Sequence, residues 1–164
     1  MSIKITEIMT ANLITVNTID GLDESYLKMK KNGVRHLPVI DFSSKVVGII
    51  SDRDFQRAMR SYESKATDFN PDEKVRDYMT SSLIEVSYDA ELLLVVQKMI
   101  DQKVSAILIS KNQTSIGIIT NEDLLKILAD LLRPTEDDGI EKVQGWLYNS
   151  PIGEIASRLA NIGI

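Results

Sequence analysis

The chain has 164 residues, 43% hydrophobic and 26% charged, with 19 lysines and arginines against 24 aspartates and glutamates and a net charge of −5. Such a composition is globular and long enough for one domain or for two small units sharing a core, and an acidic balance without a basic stripe argues against a nucleic-acid or anionic-membrane partner. There is no cysteine, which excludes disulfides, thiolate metal sites and cysteine nucleophiles. Met1 to Thr10 has no apolar signal core. The longest all-apolar run, Leu92 to Val96, has five residues, against about 20 for a membrane-spanning helix. A soluble, cytoplasmic protein is expected.

In chain order the pattern is written twice. Met9-Thr10 recurs as Met79-Thr80, and 70 positions also separate Leu13-Ile14 from Leu83-Ile84, Val16 from Val86, Leu22 from Leu92, Lys28-Met29 from Lys98-Met99 and Val34 from Val104. Gly48-Ile49-Ile50 recurs as Gly117-Ile118-Ile119 after 69 positions, one residue being lost in a turn. Each copy opens with a short β-rich run, Leu13–Val16 or Leu83–Val86. A helical stretch follows, carried by Leu22, Tyr26, Leu27 and Met29, or by Leu92, Val95, Val96 and Met99. Gly33 is expected to end the first of these helices, with Lys103 as its less obvious counterpart. Apolar strands come next, His36–Ile40 and Ala106–Ile109, with Pro38 pointing to a bulge or an edge. After polar turns come return strands, Val46–Ile50 and Ser115–Ile119, and then helices, Asp52–Met59 and Asn121–Leu132. The unit is β-α-β-β-α, twice. Expected boundaries are 1–62 for the first repeat, 63–74 for a linker around Asn70-Pro71, 75–133 for the second repeat and 134–164 for a C-terminal helical extension.

Two stretches sit at matching places in the repeats: Gly48-Ile49-Ile50-Ser51-Asp52-Arg53-Asp54 and Gly117-Ile118-Ile119-Thr120-Asn121-Glu122-Asp123. With the Met-Thr openings and the segment Gly33 to Asp41, they make the chain resemble the tandem CBS-domain pair, or Bateman module, over most of its length. The resemblance implies an α+β fold, two CBS repeats packed about a pseudo-twofold axis with two clefts between them. It also implies a noncatalytic regulatory module that binds an adenine nucleotide or related adenosyl ligand and signals its level to a partner protein. Candidate ligands are AMP, ADP, ATP, NAD, S-adenosylmethionine or a cyclic dinucleotide, with no cofactor required.

By the same resemblance each site is expected to be chimeric. Site one would join Arg35, His36, Ser51 and Asp54 to Leu83-Ile84 of the second repeat, against which adenine would lie. Site two would join Thr120 and Asp123, with Val104 and Ser105 at the matching strand start, to Leu13-Ile14 of the first. The chemistry is sound: two neighbouring ribose hydroxyls can donate to one carboxylate, and a hydroxyl at a helix start sits beside N–H groups that favour phosphate. Arg35 offers bidentate phosphate contact at any physiological pH. The second repeat has Ser105-Ala106 where the first has Arg35-His36, so site one is expected to bind phosphate-bearing ligands more tightly.

Plainer readings of the same residues exist. Ser51-x-x-Asp54 and Thr120-x-x-Asp123 are close to capping boxes, and Arg35 can form a rim salt bridge while His36 is a satisfied half-buried side chain. A lone histidine and scattered carboxylates offer no metal spacing, and no nucleophile, base or phosphate loop supports an enzyme. Residues 150–159 pattern as a helix starting at Ser150-Pro151, preceded by Trp146, and cover the module's core or dock a partner. A homodimer through the Leu22–Met29 and Leu92–Met99 helices is expected. The rival function is a dimerising adaptor without a small-molecule ligand.

Overall fold

The computed structural model describes residues 4–61 and 69–133. The expected C-terminal helical extension, with Trp146 and Ser150-Pro151, lies outside them, as does the first half of the expected linker. The chain divides into two compact units, Met1–Asn121 and Glu122–Ile164, and each is described by itself.

Through the first unit run α1 (Ile5–Ile8), β1 (Val16–Asn17), α2 (Leu22–Lys31), β2 (His36–Ile40), β3 (Val46–Ser51) and α3 (Asp52–Ser61). The same series then repeats as α4 (Val75–Tyr78), β4 (Glu85–Ser87), α5 (Leu92–Gln102), β5 (Ala106–Lys111) and β6 (Thr114–Thr120). Each repeat builds a three-stranded sheet, β1-β2-β3 or β4-β5-β6, parallel in its first pair and antiparallel in its second. This is the expected α+β architecture. Both first helices end in left-handed backbone, Gly33 at φ 63° and Lys103 at φ 54°, so the lysine does fill the glycine's place. Helix α6 (Asn121–Leu132) begins at the unit boundary. Its polar side carries a Lys126–Glu122 pair at 3.1 Å, and Leu125, Leu128, Leu131 and Leu132 are exposed.

The sheets start later than the apolar pattern suggested, because Leu13-Ile14 and Leu83-Ile84 precede β1 and β4. Pro38 explains why β1 is the shorter. Ile49 directs both its N–H and its C=O at Thr80, 2.9 Å each way, so its pairing with Pro38 is a non-hydrogen-bonded one and the Pro38 nitrogen faces the β1 side. There Pro38 has no N–H to give. At the equivalent place in the second repeat, Leu108 N–H donates to the Ile84 carbonyl at 3.1 Å and β4 gains a residue. Pro38 thus stands in a central strand, next to an irregularity at Val39/Ile40, where the neighbouring strand does not reach.

Reciprocal exchange of the opening segments ties the repeats together. Thr80 of the second repeat pairs with Ile49 in β3, and Thr10 of the first pairs with Ile118 in β6. Lys74 bridges to Gly21, and Lys4 bridges to Glu91, in the same symmetric way. Consequently Val75 closes the first repeat's core, with Val16, Leu22, Met29, Leu37, Val39, Ile50, Phe55 and Ala58. Burying each such aliphatic side chain contributes about 1.5–3 kcal/mol. Gly48 and Gly117 make the exchange possible. A Cβ on either would meet the sulfur of Met79 or Met9 at 2.5 or 2.6 Å. Both glycines serve close approach; the described glycine with positive φ is Gly33.

Candidate ligand-binding site

The first-repeat residues expected for site one meet where β2 begins and β3 runs into α3. His36 and Ser51 are register partners, and Asp52 N–H donates to the Arg35 carbonyl at 3.1 Å. Ser51 precedes the helix and donates twice to Asp54 Oδ2, from its N–H at 2.9 Å and from Oγ at 2.7 Å. The first bond is the carboxylate half of a capping box, and the second brings the hydroxyl and the carboxylate to one spot. The first turn of α3 carries Asp52 and Asp54, which suits the positive end of its dipole.

Arg35 points at Asp52. Its Nε donates to Oδ2 at 2.9 Å, and an Nη nitrogen reaches the same oxygen at 2.9 Å. The rim salt bridge is therefore formed, and the cation is balanced beside the motif. In the second repeat Ser105 and Asn121 occupy the places of Arg35 and Asp52, so an ion pair is replaced by a neutral pair as a unit. Asn121 N–H donates to the Ser105 carbonyl at 3.0 Å, repeating the Asp52–Arg35 backbone bond. His36 is half-buried, and its Nε2 lies 2.9 Å from Ser105 Oγ, joining the two repeats at the strand starts. Burial lowers its pKa below the usual 6.5; Asp52 opposes that shift, while Arg35 and Arg53 add to it.

Leu83 and Ile84 follow Thr80 by three and four residues and are half-buried, as are Leu13 and Ile14 at the matching place and Val104 before Ser105. Because Thr80 is bonded to Ile49, the segment leading to Leu83 leaves the edge of the strand that ends in Ser51. Thr120 closes β6 within the first unit, whereas Asp123 falls in the first turn of α6 in the other. Both make interactions of their own.

Two residues here were not singled out from the sequence. Asp52 is the partner of Arg35, visible only once β2 and α3 are adjacent. Arg57 reaches Asp54 Oδ1 at 3.1 Å and donates to the Tyr78 carbonyl at 3.1 Å, with its guanidinium 5.8 Å from the Tyr78 ring centre. The i, i+3 spacing of Asp54 and Arg57 was its one available signal. Among the described residues no group of His, Asp or Glu side chains is arranged to hold a metal ion, and no helix is long and apolar enough to cross a membrane.

The model of the CBS domain matches residues 5–61 and again 75–130. The Bacillus subtilis protein YlbB is 33% identical over 122 residues, covering 74% of this chain and 79% of its own. The Methanocaldococcus jannaschii protein MJ1404 is 29% identical over 136 residues, 78% of this chain, which spans only 32% of that longer protein. Among solved structures, the CBS domain pair of protein MJ0100 in complex with 5′-methylthioadenosine and S-adenosyl-L-methionine superposes with a TM-score of 0.69, at 22% identity, covering 79% of this chain and 98% of that one. With both sequence repeats matched and both sheets built alike, this chain belongs to the CBS domain family.

Proposed function

We propose that the protein is a noncatalytic regulatory module that binds an adenosine-containing ligand at site one and reports its level to a partner protein. The observation that carries this reading is the joint placement of the Ser51 hydroxyl and the Asp54 carboxylate at the start of α3, beside the opening segment of the other repeat. A carboxylate can accept from a ribose diol, and a hydroxyl at a helix start can meet phosphate. The solved CBS pair with 5′-methylthioadenosine and S-adenosyl-L-methionine supports the ligand class. In this reading Leu83 and Ile84 cover the adenine, and Arg35, two-thirds exposed, turns its remaining N–H groups to phosphate.

The test is native mass spectrometry of protein purified without added ligand, followed by titration calorimetry with adenosine, AMP, 5′-methylthioadenosine and S-adenosylmethionine. Binding that Asp54→Ala removes supports the reading. Flat titrations with all four and no co-purified adenosyl compound would overturn it and favour the adaptor function. We also propose a homodimer through α2 and α5, supported by the exposure of Leu27, Leu93, Leu94 and Ile100.

A further inference from the structure

We propose that Arg57 is a positioning residue that orients the Asp54 carboxylate for ribose; this rests on the adenosine reading of site one. A carboxylate has about four acceptor positions, two on each oxygen. On Asp54, Oδ2 accepts from the Ser51 N–H and from the Ser51 hydroxyl, and Oδ1 accepts from Arg57. Among the described residues, the acceptor position left over is therefore on Oδ1, the oxygen that Arg57 holds. Held through Oδ2 alone, the carboxylate could rock about that oxygen and carry Oδ1 away from a ribose hydroxyl. Arg57 prevents this because the nitrogen that faces Oδ1, Nη2, also donates to the Tyr78 carbonyl at 3.1 Å, with the guanidinium beside the Tyr78 ring.

The choice of anchor matters. Tyr78 ends α4, and Met79 and Thr80 follow directly into the segment bonded to β3. One guanidinium thus ties the ribose-accepting oxygen of the first repeat to the stretch of the second that leads to Leu83 and Ile84. Both contacts run from one nitrogen, Nη2, so a lysine ammonium can recover part of the hold, but without a planar guanidinium beside the Tyr78 ring. Asp54 is mostly shielded, at 15% side-chain exposure, whereas Arg57 approaches from solvent at 64%. The charge can accordingly be removed without opening the core.

The experiment is calorimetric titration of wild type, Arg57→Met and Arg57→Lys with adenosine, AMP and 2′-deoxyadenosine, beside urea unfolding of each variant. Arg57→Met is expected to weaken adenosine and AMP by the same factor, about tenfold, the scale of one charge-assisted contact. It is also expected to erase most of the preference for adenosine over 2′-deoxyadenosine, with Arg57→Lys falling in between. A loss confined to AMP would make Arg57 a direct phosphate ligand and overturn the proposal. So would lower stability with the ribose preference intact, since a purely structural residue behaves that way. Wild-type protein that binds none of the three probes sinks the adenosine reading itself, and the proposal with it; wild-type binding left unchanged by both variants sinks the proposal alone. Should Arg57→Met fail to fold, Arg57→Lys still decides, through the ratio of adenosine to 2′-deoxyadenosine affinity.

Discussion

Gly48→Ala tests the reciprocal exchange directly. The new Cβ would stand 2.5 Å from Met79 Sδ, 3.2 Å from its Cγ and 3.2 Å from the Thr80 carbonyl oxygen, where comfortable carbon contacts lie at about 3.5–4.0 Å. The thioether can swing aside. The carbonyl cannot do so cheaply, because Ile49 and Thr80 hold each other through two bonds of 2.9 Å. Overpacking of this kind costs about 1–3 kcal/mol, while alanine gains roughly 0.5–1 kcal/mol over glycine in a strand. The net expectation is a loss of about 1–2 kcal/mol, read as a lower urea midpoint at unchanged slope. In a Met79→Ala background the sulfur contact disappears but the Thr80 carbonyl stays in place, so Gly48→Ala should still cost most of that amount. Gly117→Ala against Met9 should behave alike, its Cβ falling 2.6 Å from the sulfur and 3.3 Å from the Thr10 oxygen. Loss of the cost once the Met79 side chain is removed, or full stability in Gly48→Ala, would refute the account.

Ser25 is 2% exposed and among the described residues its hydroxyl has no partner, and the second repeat has the fully buried Val95 in its place. Ser25→Ala should therefore stabilise the protein by about 1 kcal/mol in urea unfolding, because an orphaned buried hydroxyl is costly and alanine favours the helix. The His36 shift carries a sign for pH. Its folded pKa lies below 6.5, so the unfolded state takes up the proton first and stability falls as pH drops from 6.5 through the folded value. Urea midpoints measured between pH 7.5 and 5.5 should show this slope in wild type and less of it in His36→Asn. Asp41, whose pKa is lowered by its bonds to Ser43 and Lys45, contributes to the pH dependence only below that window. For the proposed dimer, Leu93→Glu with Ile100→Glu should shift sedimentation to the monomer, whereas unchanged sedimentation would place the interface elsewhere.

Where the sequence was legible, periodicity made it so. The duplicated unit, both main helices, the hairpins and the two motifs all recur at fixed offsets, and nothing in the packing had to be known to see them. The four-residue helices α1 and α4 span about one turn each, too short for any apolar period to register. The starts of β1 and β4 depended on Pro38 and Leu108, a matter of which backbone N–H groups exist rather than which side chains are apolar. Exchange of the Met-Thr segments could not be read from the repeat itself, because the offset is 70 whether each segment docks on its own repeat or on the other; only the family resemblance implied a crossover, through the chimeric sites. At the site, Ser51 and Asp54 were readable because their contact is local. The Arg35–Asp52 and His36–Ser105 contacts, 17 and 69 residues apart in the chain, needed the fold.

Exchanged openings also bear on the order in which the chain can mature on the ribosome. Synthesis delivers the first repeat's strands and α3 well before Val75 and Met79, so the groove over Gly48 stays unfilled until the next repeat begins to emerge. Met9 and Thr10 wait longer still, for a strand that includes Gly117 and Ile118. Domains that fold as units can complete themselves one after another during synthesis; here Thr10 of the first half is followed by more than a hundred residues before its partner Ile118 is made. A nascent neighbour presenting the same strand is the natural wrong answer, and the product would be a swapped pair of chains. Splitting the gene between its repeats would accordingly yield halves that each carry the other's closing piece.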